Sequence, residues 1–110
     1  MVKSVYHYTE KLGYNAVRAN PVWVFKIHQP PKKENPVAAY FSKLDPQTPL
    51  LAAKLRVGKK KIEYVFEFDD IGDLQPLNPH RELHILLSIR DYCVVPERQK
   101  YHGSPVQWRP

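Results

Sequence analysis

Residues 61–68, KIEYVFEF, alternate apolar residues with mostly charged ones. The apolar positions are Ile62, Tyr64, Phe66 and Phe68, and the positions between them are Glu63, Val65 and Glu67. Because successive side chains of a strand point to opposite faces, this spacing predicts a β-strand with one face in the core and the other toward solvent. We take a sheet built around this strand as the starting point for the fold.

Five further stretches have the alternation or the composition of strands. They are KSVYHYT at 3–9, VWVFKI at 22–27, VAAYFSKL at 37–44, LHILLSI at 83–89 and YCVV at 92–95. The tail after Arg98 is rich in turn residues, and we predict strand pairing there only around Val106 to Trp108.

Two stretches predict helices. Residues 10–20, EKLGYNAVRAN, follow Thr9, which is a suitable N-cap. Residues 48–58, TPLLAAKLRVG, begin with Thr48 at the N-cap and a proline at the first helical position, and a glycine stands beyond the expected end. The element order, with helices early and strands late, predicts an α+β fold with two small packed, mostly antiparallel sheets and two short helices. At 110 residues we expect one domain over residues 1–110.

The chain is 43% hydrophobic, as expected of an ordinary globular protein. Its formal net charge of +6 favours anionic partners. The lysines at 59–61 are explained by a solvated turn, so charge alone does not choose between nucleic acid, a nucleotide and an acidic protein. The single cysteine, Cys93, lies in an apolar run and is predicted to be a buried thiol. No stretch approaches the roughly 20 apolar residues of a membrane span. We therefore expect no membrane association, and either an intracellular protein or a toxin exported by another route. We also expect a monomer.

Several kinds of chemistry have no specific support in the sequence. HRELH at 80–84 has two histidines four apart, but its glutamate is central and does not follow the first histidine as in zinc proteases. We therefore expect no metal. There is no GxSxG hydrolase motif, and the four glycines are isolated, which excludes a glycine-rich phosphate loop.

Three short stretches remain: YHYT at 6–9, AAYFS at 38–42 and RDYCVV at 90–95. Together they resemble the ADP-ribosyltransferase fold, whose members bind NAD through a histidine strand, a small-small-Tyr-Phe strand and an acidic residue that opens a late strand. More narrowly, VYHYT followed by AYFSKLDPQTP resembles the His-Tyr-Asp class found among polymorphic toxin domains and their eukaryotic relatives. The resemblance covers the chain in element order, but its motifs amount to about a dozen residues.

The resemblance implies a role for each matching residue. His7 would hydrogen-bond the hydroxyls of the adenosine ribose, and the main chain of Tyr8, followed by Thr9, would pair with the nicotinamide carboxamide. Tyr40 would stack on the nicotinamide ring. Thr48 is a weaker candidate for the carboxamide. Asp91 would be the late carboxylate, so the catalytic set would be His7, Tyr40 and Asp91.

The implied chemistry is physically reasonable. Breaking the nicotinamide–ribose bond develops positive charge on the sugar, as in glycoside hydrolysis. A carboxylate close to that ribose stabilises the transition state more than the ground state. The carboxylate is an aspartate where polymerases of this fold carry glutamate, and Leu51 replaces their second stacking tyrosine. We therefore expect mono-ADP-ribosyl transfer to a protein or nucleic-acid acceptor, not polymer synthesis.

Other functions stay open at this stage. Water as acceptor would make the protein an NAD glycohydrolase, and some proteins of this fold remove an RNA 2-phosphate, although they rely on a more basic site. A non-enzymatic basic module could bind nucleic acid through Lys54, Arg56 and the lysines at 59–61. Each candidate residue also has a structural explanation: a histidine and a tyrosine in the core, a helix-capping threonine, and an aspartate paired with Arg90 or Arg98.

Overall fold

The computed structural model describes residues 3–31, 33–77 and 85–110. The helices are α1 (Lys11–Arg18) and α2 (Leu51–Leu55). The strands are β1 (Ser4–Thr9), β2 (Trp23–Phe25), β3 (Ala39–Ser42), β4 (Tyr64–Asp69), β5 (Gln75–Pro76), β6 (Ile85–Ser88), β7 (Tyr92–Val94) and β8 (Gln99–Gly103). Short 3₁₀ turns occupy Lys59–Ile62, Pro96–Arg98 and Pro105–Gln107.

The strands form two antiparallel sheets. The larger sheet has the order β5-β6-β3-β1-β4-β8, and the smaller one pairs β2 with β7. β1 is central and is paired along its whole length with β4, from Ser4 opposite Asp69 to Thr9 opposite Tyr64. The α+β class with two antiparallel sheets and two helices is therefore confirmed.

The main core lies on the face of the large sheet that packs against the small one. Phe66 and Phe68 of β4 are fully buried there, together with Phe25 from β2 and Phe41 from β3. The Phe25 ring lies 5.3 Å from Phe41 and 5.5 Å from Phe66, centre to centre, both edge to face. The alternation predicted from KIEYVFEF places these rings correctly, although its first residues, up to Ile62, form a 3₁₀ turn.

The prediction that β4 is covered on one side only is wrong. Val65 is 0% exposed and Glu67 8% exposed on the second face, because the C-terminal segment folds over it. Trp108 packs there with Tyr6 and Val65. This segment forms a 3₁₀ turn at Pro105–Gln107 instead of the strand pairing expected around Trp108, and the pairing strand is β8.

The helix caps also differ from prediction. Glu10 precedes α1 and Thr9 is the last residue of β1, so Thr9 caps nothing. α2 starts only at Leu51, after Leu50 in a left-handed conformation with φ 56°, so Thr48 is not its N-cap. Cys93 is exposed on β7, not buried, because Tyr92 and Val94 take the inward positions.

The motif at 80–84 lies outside the described residues. Within the described ranges, no helix is both long enough and apolar enough to cross a membrane.

Candidate functional site

The candidate site lies where β1 and β3 separate. These two strands share a single registered pair, Tyr6 opposite Ser42, and the His7 ring lies beyond it. His7 points to the core face, 4.6 Å from the Phe25 ring and 5.6 Å from the Phe41 ring, centre to centre. The residue nevertheless keeps part of its surface exposed.

One hydrogen bond defines the state of the His7 imidazole. Its Nδ1 lies 2.9 Å from the main-chain oxygen of Tyr40. A carbonyl oxygen can only accept, so Nδ1 donates and carries the proton. Burial lowers the pKa of His7 to about 4, although the bond to the Tyr40 carbonyl raises this pKa and the nearby His28 lowers it again. His7 is therefore neutral at physiological pH, and its Nε2 is a hydrogen-bond acceptor that no described residue uses.

Tyr40 contributes its main chain to His7 and its side chain to the other face of the sheet. Ala39 and Phe41 point into the core, so alternation turns the Tyr40 ring away from it. The ring stays partly exposed, and burial raises its pKa. Its hydroxyl donates to the Pro36 carbonyl at 2.5 Å. The two predicted side chains therefore lie on opposite faces of the sheet, and His7 contacts only the main-chain carbonyl of Tyr40.

Asp91 lies immediately before β7 and is exposed. Its Oδ1 accepts the main-chain N–H of Ile27 at 2.9 Å. His28, the residue after Ile27, has its ring 5.7 Å from the Tyr40 ring, centre to centre. A continuous series of contacts thus runs from Asp91 through residues 27–28 to Tyr40 and His7. The alternative partner, Arg98, instead donates to the Asp69 carbonyl and the Tyr92 hydroxyl.

The remaining predicted residues lie at the edge of this series or apart from it. The Tyr8 main chain is paired with Val65, and its hydroxyl donates to the Leu44 carbonyl at 2.6 Å. Burial raises the pKa of Tyr8.

The two threonines have local packing or turn roles. Thr9 packs on helix α1, where a Cβ added to Gly13 would lie 2.2 Å from its Oγ1. Thr48 belongs to a turn, and its main-chain N–H donates to the Asp45 carbonyl at 3.1 Å.

Two features escaped prediction. His28 lies at the start of a loop rich in proline and charge, which carries no periodic pattern. Glu67 is a buried carboxylate whose Oε2 accepts from the Ser4 hydroxyl at 2.6 Å and whose Oε1 accepts from the Trp108 indole at 2.9 Å. The alternation of β4 predicts its face, but only the position of Trp108 reveals that it is buried.

Other features of the described residues do not coincide with this site. An open depression of about 440 Å³ lies at the end of α1, lined by Asn15, Arg18, Ala19 and His102. None of the predicted site residues lines it. Across the described ranges, no group of three or more histidine, cysteine, aspartate or glutamate side chains is arranged to hold a metal ion.

Comparison of the chain with known protein families, with curated proteins and with solved structures found no match.

Proposed function

We propose that this protein is a mono-ADP-ribosyltransferase that cleaves the nicotinamide–ribose bond of NAD and transfers ADP-ribose to a protein or nucleic-acid acceptor. The acceptor nucleophile attacks the ribose C1, the bond to the nicotinamide nitrogen breaks, and nicotinamide leaves as a neutral molecule with the bonding electron pair. The acceptor loses its proton to solvent or a base. The proposal combines the resemblance of three short motifs with the contacts that their residues make.

The observation that carries the proposal is the fixed state of His7. A neutral imidazole with its Nδ1 proton held by the Tyr40 carbonyl offers a lone pair at Nε2. A ribose hydroxyl can donate its proton to this nitrogen, because a hydroxyl is both a donor and an acceptor of hydrogen bonds. The ring of Tyr40 is partly exposed on the face of the sheet away from His7, and an exposed flat ring is suitable for stacking.

Asp91 would supply the negative charge near the reacting sugar. One of its carboxylate oxygens is anchored by the Ile27 N–H, which restricts the side chain and leaves the other oxygen for the ribose 2-hydroxyl. A carboxylate oriented in advance favours the positively charged transition state over the ground state. In this scheme the small-sheet strands position Asp91, and the large sheet positions His7 and Tyr40.

The test is nicotinamide release from NAD by the wild type and by Asp91→Asn. The asparagine keeps an oxygen for the Ile27 N–H but removes the charge. By analogy with the loss of a hydrogen-bond donor to a transition state, we expect transition-state stabilisation to fall by about 3 kcal/mol, which is roughly two to three decades in rate. Asp70→Asn is the matched control, since Asp70 also accepts one main-chain N–H, that of Gly72, at 2.8 Å.

Equal rates in Asp91→Asn and the wild type would remove Asp91 from the mechanism. Release that does not depend on any added acceptor would indicate NAD hydrolysis instead of transfer. If the wild type does not bind NAD at millimolar concentration but binds RNA in a salt-sensitive way, the protein is a basic nucleic-acid-binding module and the proposal fails.

A further inference from the structure

His28 is held in place by its own main chain. It lies beyond the end of β2 and forms a two-bond bridge with Ala38, the residue before β3. The His28 N–H donates to the Ala38 carbonyl at 3.1 Å, and the Ala38 N–H donates to the His28 carbonyl at 3.2 Å. This reciprocal pair connects the segment that leaves the small sheet to the strand that carries Tyr40.

The side chain of His28 lies against the ring of Tyr40. The two ring centres are 5.7 Å apart and the planes are inclined by 59°, within the range of favourable aromatic contacts. The Tyr40 hydroxyl is held separately by the Pro36 carbonyl. The Tyr40 ring is therefore restrained at two points, its hydroxyl and the side that faces His28.

Residues 27–28 also restrain Asp91. The N–H of Ile27 donates to the Asp91 carboxylate, and the next side chain along the chain contacts Tyr40. One dipeptide thus contacts both the aromatic ring and the carboxylate assigned to the site. A change in its conformation would alter the distance between them.

We propose that His28 is a positioning residue that holds the Tyr40 ring as a platform for the nicotinamide of NAD, an inference that rests on the function proposed above. The contact is made by a ring of aromatic character, so an aromatic replacement should preserve it and a small residue should not. A ring held before the ligand arrives loses less conformational freedom on binding.

The test compares His28→Ala and His28→Phe in steady-state nicotinamide release. Loss of one aromatic contact corresponds to a roughly three- to tenfold rise in KM for NAD. We expect this rise in His28→Ala, with kcat within about twofold of wild type, and recovery to near wild-type KM in His28→Phe. Gln29→Ala is the control, because Gln29 is the exposed neighbour whose amide bonds stay within its own loop.

A second measurement separates this inference from the proposed function. NMR of tyrosine-labelled protein without NAD should show the Tyr40 ring signals displaced in His28→Ala and nearly restored in His28→Phe. Unchanged KM and unchanged ring signals in His28→Ala would overturn the positioning role. A defect shared by His28→Ala and His28→Phe would also overturn it, since it would assign the effect to the imidazole nitrogens. If the wild type releases no nicotinamide, the proposed function and the ligand named here both fail, while the ring signals still decide whether His28 restrains Tyr40.

Discussion

Glu67 and His7 occupy neighbouring positions in the register of β1 and β4, where Tyr6 is opposite Glu67 and His7 is opposite Phe66. Their side chains point to opposite faces of the large sheet. Glu67 accepts from Ser4, Tyr6 and Trp108, and the Lys100 ammonium lies 3.6 Å from its Oε2. His7 makes its side-chain hydrogen bond through Nδ1, and its Nε2 has no hydrogen-bond partner among the described residues.

Two ionisable groups on the same pair of strands thus differ in how many of their polar atoms are hydrogen-bonded within the protein. Buried polar groups are expensive unless they are hydrogen-bonded, and those around Glu67 satisfy one another. Burial raises the pKa of Tyr6 to about 12, and the negative charge of Glu67 adds to this. The Glu67 cluster thus anchors the C-terminal segment to the sheet, whereas the Nε2 of His7 has no hydrogen-bond partner in the part of the chain that the structure describes.

The largest effect should come from removing the Glu67 carboxylate. Glu67→Ala leaves the Trp108 indole and the Ser4 hydroxyl without their acceptor and Lys100 without its closer carboxylate, so we expect a loss of about 3 kcal/mol in the free energy of unfolding. Denaturant titration measures it. Glu67→Gln, which keeps one oxygen for the indole, should lose less. Stability equal to wild type in Glu67→Ala would contradict the anchoring role.

Trp108→Phe should have the next largest effect. Phenylalanine keeps an aromatic ring against Tyr6 but cannot donate to Glu67, and a hydrogen bond to a charged group contributes about 2 kcal/mol. Thermal and denaturant unfolding check this loss. The double variant with Glu67→Ala should cost less than the sum of the two changes, because both remove the same bond. Full additivity would show that indole and carboxylate act independently.

On the face of the large sheet that carries His7, His7→Asn should remove the proposed contact with NAD and keep the bond to the Tyr40 carbonyl. The asparagine amide can keep the donation to the Tyr40 carbonyl but has no equivalent of Nε2. We expect a roughly tenfold loss in kcat/KM for NAD, the equivalent of one hydrogen bond. His7→Gln, which places its amide closer to the Nε2 position, is the matched variant. Wild-type kcat/KM in His7→Asn would show that Nε2 binds nothing of consequence.

A separate effect, measured by changing the pH, should be a dependence of the free energy of unfolding on the protonation of His7. Burial lowers the pKa of His7 from 6.5 to about 4, so between these values the unfolded chain binds a proton that the folded protein does not. The stability that the folded protein gains from a neutral His7 is fully present above pH 6.5 and is lost as the pH falls toward 4. The free energy of unfolding should therefore fall more in the wild type than in His7→Asn over this interval. Parallel curves for the two proteins would contradict the assignment.

The parts of the fold that follow strict local patterns were predictable. KIEYVFEF correctly placed Phe66 and Phe68 in the core, since alternation depends only on strand geometry. β8 was missed because its residues, QKYHG, are polar and half-exposed at the sheet edge. The start of α2 was misplaced because Leu50 adopts a left-handed conformation that the residue type does not favour.

The candidate site residues come from sequence motifs, and their geometry could not be predicted from those motifs. The motifs identified His7, Tyr40 and Asp91, and their functional roles stay a prediction. His28 carried no signal, because its importance depends on the bridge to Ala38 and on the side of Tyr40 that this bridge brings near.

The sequence by itself determined the α+β class, the aromatic composition of the core and the basic character of the chain, because these depend on periodicity and on residue type. Only the tertiary structure decided that Trp108 covers Glu67, that a carbonyl 33 positions away selects the protonated nitrogen of His7, and that Ile27 anchors Asp91 from 64 positions away. Such contacts join segments that are remote in the chain. Local propensity carries no information about which remote segments meet, and the free energy that selects them comes from packing the whole domain.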